Sequence, residues 1–130
     1  MKKTVRSLGH SLEGFAHAVK TERNLRLFLI GHCVVLIIGF KLGIDFFSLV
    51  LTTIFAGLFL MVELLNTAIE RLADTVDDCE KTHRGGHYHL GIKQTKDVAA
   101  AGSLIALLVY LSTLLLAILP SLLSQFPFSS

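Results

Sequence analysis

Glu63, Asn66 and Glu70, in the run Glu63-Leu-Leu-Asn-Thr-Ala-Ile-Glu70, are the residues whose types and spacing best suit chemistry. They follow seventeen uncharged residues, Phe46 to Val62, long enough to cross most of a bilayer's hydrocarbon core. At about 100° per residue, Glu63, Asn66, Glu70, Asp74 and Asp77 fall on one helical stripe. Carboxylates at hydrocarbon depth are costly, so they face a protein interior, pair with another group or hold a cation. Asp74 and Asp77 alone read as the solvated end of a helix leaving the membrane. Glu63 with Asn66 and Glu70 reads as a functional site.

Other polar groups gather at the same depth. Glu22 precedes one apolar run, and Lys96-Asp97 precedes another. A carboxylate at the apolar edge is partly desolvated, which raises its affinity for a proton and suits it to general-base work. Carboxylates further out suit Mg²⁺, which takes oxygen ligands together with phosphate oxygens, and a neighbouring lysine suits phosphate. The combination fits phosphoryl transfer from a cytosolic nucleotide to a hydroxyl at the membrane surface. A rival of a different class is a non-catalytic small membrane protein whose acidic stripe lines a cation pathway. It predicts acids spread through the membrane depth, whereas here they collect at one face.

The elements that must position these groups are apolar helices. A hydrophobic content of 52% and a mean hydropathy of +0.65 are too high for a soluble domain of 130 residues, so a single integral-membrane domain over 1–130 is expected. Leu27 to Phe40 carries no charge, and this first span is predicted over 25–44 if Lys41 snorkels to the interface. The second span is predicted over 46–78 with a cytoplasmic extension, and a polar cytoplasmic loop over 79–95. The third is predicted over 96–119, where Val98 to Leu119 gives twenty-two residues without charge before Pro120. Over residues 4–20, Val5, Leu8, Leu12, Phe15 and Val19 recur at spacings of three and four, as in an amphipathic helix lying in the headgroup plane. Gly9 and Gly14 in it would permit close approach by a neighbour.

Eleven of the twelve basic residues fall before the first span or between the second and third. By the positive-inside rule the N-terminus is cytoplasmic and the C-terminus outside, in a multi-pass protein of the cell membrane. The first lysines are followed by no compact apolar core or small-residue cleavage site, so a signal peptide is not expected. Topology accounts for the basic residues, and nothing points to nucleic acid. Cys33 in the first span and Cys79 in a polar segment are not expected to pair. His83, His87 and His89 read as solvated histidines of a glycine-containing lid or spacer rather than metal ligands, and His32 as a histidine bonded to another helix. No Walker or protein-kinase glycine loop is present, so any nucleotide site is of another kind.

Glu63-Leu-Leu-Asn-Thr-Ala-Ile-Glu70 with Asp74 and Lys96-Asp97-Val-Ala-Ala strongly resembles the prokaryotic diacylglycerol kinase family, which includes the undecaprenol kinases of Gram-positive bacteria. Lys20-Thr-Glu22-Arg-Asn24 and Tyr88-His89 sit where similar segments of that family are expected. The resemblance runs from about Arg6 to the end of the third span. It implies an all-α homotrimer of three-span protomers with an interfacial N-terminal helix and composite sites between subunits. It also implies transfer of phosphate from Mg-ATP to a lipid alcohol, diacylglycerol or undecaprenol. Glu63 would be the base for the lipid hydroxyl, and Glu22 and Glu70 would hold the metal with ATP. Asn66, Asp74, Lys96 and Asp97 would order the site or contact phosphates, and His10, Tyr88 and His89 would lie near the nucleotide.

Overall fold

A computed structural model describes residues 2–84 and 90–125. They form four helices in the order α1 (Lys2–Thr21), α2 (Arg23–Lys41), α3 (Phe46–Arg84) and α4 (Leu90–Gln125), with no strand among the described residues. α2, α3 and α4 are each long and apolar enough to cross a membrane. The chain is thus all-α, with three spans and an amphipathic N-terminal helix. Val5, Leu8, Leu12 and Phe15 of α1 are all exposed, an apolar face left uncovered among the described residues.

α1 and α2 are nearly continuous. The break is Glu22, whose extended backbone (φ −93°, ψ 113°) turns the chain where α1 ends. Arg26 folds back to donate to the carbonyls of Val19 and Lys20, so one guanidinium satisfies carbonyls that the end of α1 leaves open.

The first span ends earlier than the predicted 44. Gly43 adopts φ +69°. Its N–H donates to the carbonyl of Phe40 (3.2 Å), and that of Ile44 to the carbonyl of Gly39 (3.0 Å). This pair of bonds is a Schellman stop. Asp45 then caps α3 by accepting from the Ser48 N–H at 2.9 Å. Hydrogen bonds from Ser48 hold the Asp45 carboxyl below the ordinary aspartate range. A depressed value of this kind means the cap contributes at neutral pH and fades as the pH falls through it.

α3, with 39 residues, is about 58 Å long and reaches well beyond a hydrocarbon core of about 30 Å. It packs chiefly on α4. Small or short polar side chains fill the interior, including Thr52, Ala56, Thr67 and Ala73 on α3 and Ser103 on α4, as suits membrane helices in close approach. The polar segment predicted as a loop over 79–95 is helical at both ends, because α3 continues to Arg84 and α4 begins at Leu90. No helix-breaking pair precedes Gly85-Gly86, and Gly91 and Ile92 join Ile69, Ala73 and Val76 around one apolar groove. α4 also continues through Pro120, beyond the predicted end at 119. A proline near the end of a membrane helix removes one backbone bond without ending the helix. Gly9 and Gly14 face open space, with nothing within 4 Å of the point a Cβ would occupy, so no close approach within the protomer requires them.

The turn at Gly43 gives a direct test. Gly43→Ala places a Cβ in the left-handed region, at a cost of about 1–2 kcal/mol. The thermal unfolding midpoint in detergent should fall, whereas Gly14→Ala, on an open helix face, should leave it unchanged or raise it slightly. Equal midpoints for Gly43→Ala and the parent would show that the turn does not fix the hairpin.

Candidate active site

The helical spacing of Glu63, Asn66 and Glu70 has a structural counterpart. All three line one groove of about 400 Å³, closed on its other sides by Asn24, Leu27 and Phe28 of α2 and by Ala100, Ser103 and Leu104 of α4. The groove is amphiphilic. One end carries two carboxylates and two amides, and the wall towards the middle of the spans is leucine and phenylalanine.

Within it, the Ser103 hydroxyl donates to Oε2 of Glu63 across the α3–α4 contact. One turn further out, Asn66 Nδ2 donates to Oε1 of Glu70 at 3.3 Å. That bond fixes the amide, and the other end of it, Asn66 Oδ1, is buried with no hydrogen-bond partner among the described residues. Leaving such an oxygen unsatisfied costs about 1–3 kcal/mol. The Glu70 carboxylate that Asn66 steadies is an oxygen ligand of the kind that suits Mg²⁺.

The floor is aromatic. Phe28 packs on Phe59 with ring centroids 4.2 Å apart and meets the edge of Tyr110 at 5.0 Å. The Tyr110 hydroxyl hydrogen-bonds His32 Nδ1 at 3.1 Å, so His32 has the interhelix partner expected of it. The groove lining therefore passes from acids to rings with depth, unlike a cation pathway lined by acids throughout.

The other expected residues lie around this groove rather than in it. Glu22 accepts from Arg71 Nη2 at 2.8 Å, and the same guanidinium donates to the Thr21 hydroxyl. Arg71 follows Glu70 directly, so the α1–α2 junction is fastened to the turn of α3 that carries Glu70. Lys96 Nζ donates to Asp74 Oδ1 at 2.7 Å. Asp97 is exposed, and His10 lies on α1 with its ring 3.5 Å from the Glu13 carboxylate. Asp77, read as solvated, is 6% exposed, because α3 turns this part of the stripe inward. Tyr88 and His89 lie outside the described residues. So do His87 and the side chain of His83, and with them the question of metal binding there. Among the described residues of one protomer, no three acidic, histidine or cysteine side chains converge as a metal cage. Mg²⁺ does not need one, since it commonly takes one or two carboxylates and completes its shell with phosphates and water.

Sequence reasoning missed Ser103 and Arg71 as parts of the site and gave Asn24 no role. A signal existed for Ser103. Lys96, Ser103 and Tyr110 recur every seven residues along α4, and each meets a polar partner on another helix.

Comparison with known proteins shows which family the chain belongs to. Residues 9–118 match the family described as prokaryotic diacylglycerol kinase. The chain is also 30% identical over 117 residues to a protein named undecaprenol kinase from Bacillus subtilis (strain 168), covering 90% of this chain and 89% of that one. The stretch matched spans α2, all of α3 and most of α4, and thus every residue of the groove. This multi-pass membrane protein belongs to the prokaryotic diacylglycerol kinase family, a family of lipid kinases.

Proposed function

We propose that the chain is an Mg²⁺- and ATP-dependent kinase that phosphorylates a membrane lipid alcohol at the cytoplasmic surface, with undecaprenol as the first acceptor and diacylglycerol as the second. The observation that carries this reading is the groove itself: a carboxylate, Glu63, where a polar end meets an apolar wall. An amphiphile bound there would set its hydroxyl beside Glu63 and lay its chain along Leu27, Phe28, Leu104 and Leu107. Undecaprenol is preferred because the similar Bacillus subtilis protein is named for that lipid.

In the proposed reaction Glu63 accepts the proton of the lipid hydroxyl as its oxygen bonds the γ-phosphorus of ATP. The bond from that phosphorus to the bridging oxygen breaks, and ADP leaves with the electron pair. Glu63 then releases the proton to solvent. When bound with ATP, Mg²⁺ neutralises charge on the phosphates. Glu70 would hold it, ordered by Asn66, with Glu22 reaching from the α1–α2 junction. Lys96, two helical turns or about 10 Å cytoplasmic of Ser103, would reach the phosphates with Asp97, while Asp74 steadies its ammonium. His10, Tyr88 and His89 would border the nucleotide.

A homotrimer with sites completed between copies is part of this proposal. The apolar windows of the three spans are only 11%, 17% and 17% buried within the protomer, which leaves extensive surface for lipid and for other copies. In this proposal the N-terminus is cytoplasmic and the C-terminus outside, a reading supported by the distribution of the basic residues.

Glu63→Gln should lower turnover by about 10²–10⁴-fold, the usual contribution of a general base, with ATP binding and melting midpoint retained. Turnover near that of the parent would remove Glu63 from this role. Ala at Glu22 or Glu70 should raise the Mg²⁺ concentration needed for half-maximal rate as well as slow the reaction. A Mg²⁺ titration unchanged in both variants would exclude them as ligands.

A further inference from the structure

Hydroxyl-bearing side chains in these helices have a habitual partner. Those of Thr52, Thr53 and Thr75 on α3, and of Thr95, Ser112 and Thr113 on α4, each donate to the carbonyl four residues earlier. That local bond needs no other helix and is the default for a hydroxyl in an apolar setting. Ser103 departs from it, although it sits on the same helix as three of them. It is 7% exposed, and its hydroxyl crosses to α3 to donate to the Glu63 carboxylate.

A glutamate has three rotatable side-chain bonds, and a half-buried one at a groove wall does not hold one orientation without a partner. The groups that line the groove with Glu63 are Asn24 from α2, Asn66 and Glu70 from its own helix and Ser103 from α4. Asn66 is already turned to Glu70, which leaves its oxygen rather than its N–H groups without a partner. A carboxylate and a carbonyl oxygen are both acceptors, so Asn66 Oδ1 cannot hold Glu63. Ser103 does, through a charge-assisted bond from a helix packed closely against α3.

We infer that Ser103 is the positioning residue of the base: it anchors Oε2 of Glu63 and leaves Oε1 to take the proton of the lipid hydroxyl. The inference rests on the kinase reading above. In this role Ser103 acts through Glu63, not on the lipid or the nucleotide directly. Its effect belongs to the chemical step, since misplacing a reacting group by about 1 Å can cost about 10²-fold in rate.

The test uses the full chain in mixed micelles with undecaprenol and Mg-ATP. Ser103→Ala should lower kcat about tenfold or more, leaving the KM for Mg-ATP and the melting midpoint unchanged, and Ser103→Thr, which keeps the hydroxyl, should recover most of the loss. In a Glu63→Asp background, where the shorter carboxylate no longer reaches the hydroxyl, Ser103→Ala should cost nothing further. Three results would overturn the inference: a parental kcat in Ser103→Ala, an equal loss in the Glu63→Asp background, or a loss that follows a lowered melting midpoint. A parent protein that phosphorylates no lipid alcohol would instead refute the kinase reading. An active parent with an unaffected Ser103→Ala would refute only the role of Ser103.

Discussion

A carboxylate at the edge of hydrocarbon needs a partner, and in this chain the antiparallel register of α3 on α4 provides one. Three polar contacts mark the bundle from the polar extension of α3 inward: Lys96 with Asp74, Ser103 with Glu63, and Tyr110 with His32 of α2. The α4 members recur every two helical turns, so a single rotation of that helix sets all of them. Shifting α4 by one residue would turn each away by about 100° and bring Gly102 or Leu104 to the level of Glu63 in place of Ser103. The cost of that mismatch in a membrane, where water is scarce, favours one register strongly. The groove is a product of the same register, since its walls are the residues between those contacts.

The second constraint is the fastening of α1 to this hairpin. An amphipathic helix with an uncovered apolar face would otherwise pivot freely at the extended backbone of Glu22. Arg26 closes the end of α1, and Arg71 joins the junction to α3 one residue past Glu70. α1 is thereby tied to the turn of α3 that carries Glu70. One guanidinium links that turn to the α1–α2 junction, whereas Glu63 is anchored independently from α4.

Much of the architecture was legible in the sequence because a membrane imposes it. Uncharged runs revealed three spans, and one acidic stripe revealed the face of α3 that meets the groove. Helix ends were less legible. The polar run from Cys79 onward resembled a loop, yet polarity does not end a helix. Its nearest breaking signal is Gly85-Gly86, and Gly43 rather than Lys41 decided the first turn. Pairwise partners were the least legible. Glu22 and Lys96 were expected in the site as separate ligands, whereas the fold gives each an ion-pair partner, Arg71 and Asp74. Ser103 looked like one more small polar residue in an apolar run, and only the register identifies what it faces.

In the proposed reaction this groove delivers a lipid hydroxyl to ATP. The most direct measurement is transfer of labelled γ-phosphate from ATP to undecaprenol, diacylglycerol and ceramide, each presented to the purified protein in mixed micelles with and without Mg²⁺. The account predicts Mg²⁺-dependent label in the lipid fraction, fastest with undecaprenol. Label that stays in ATP or appears only as inorganic phosphate with all three lipids would contradict it.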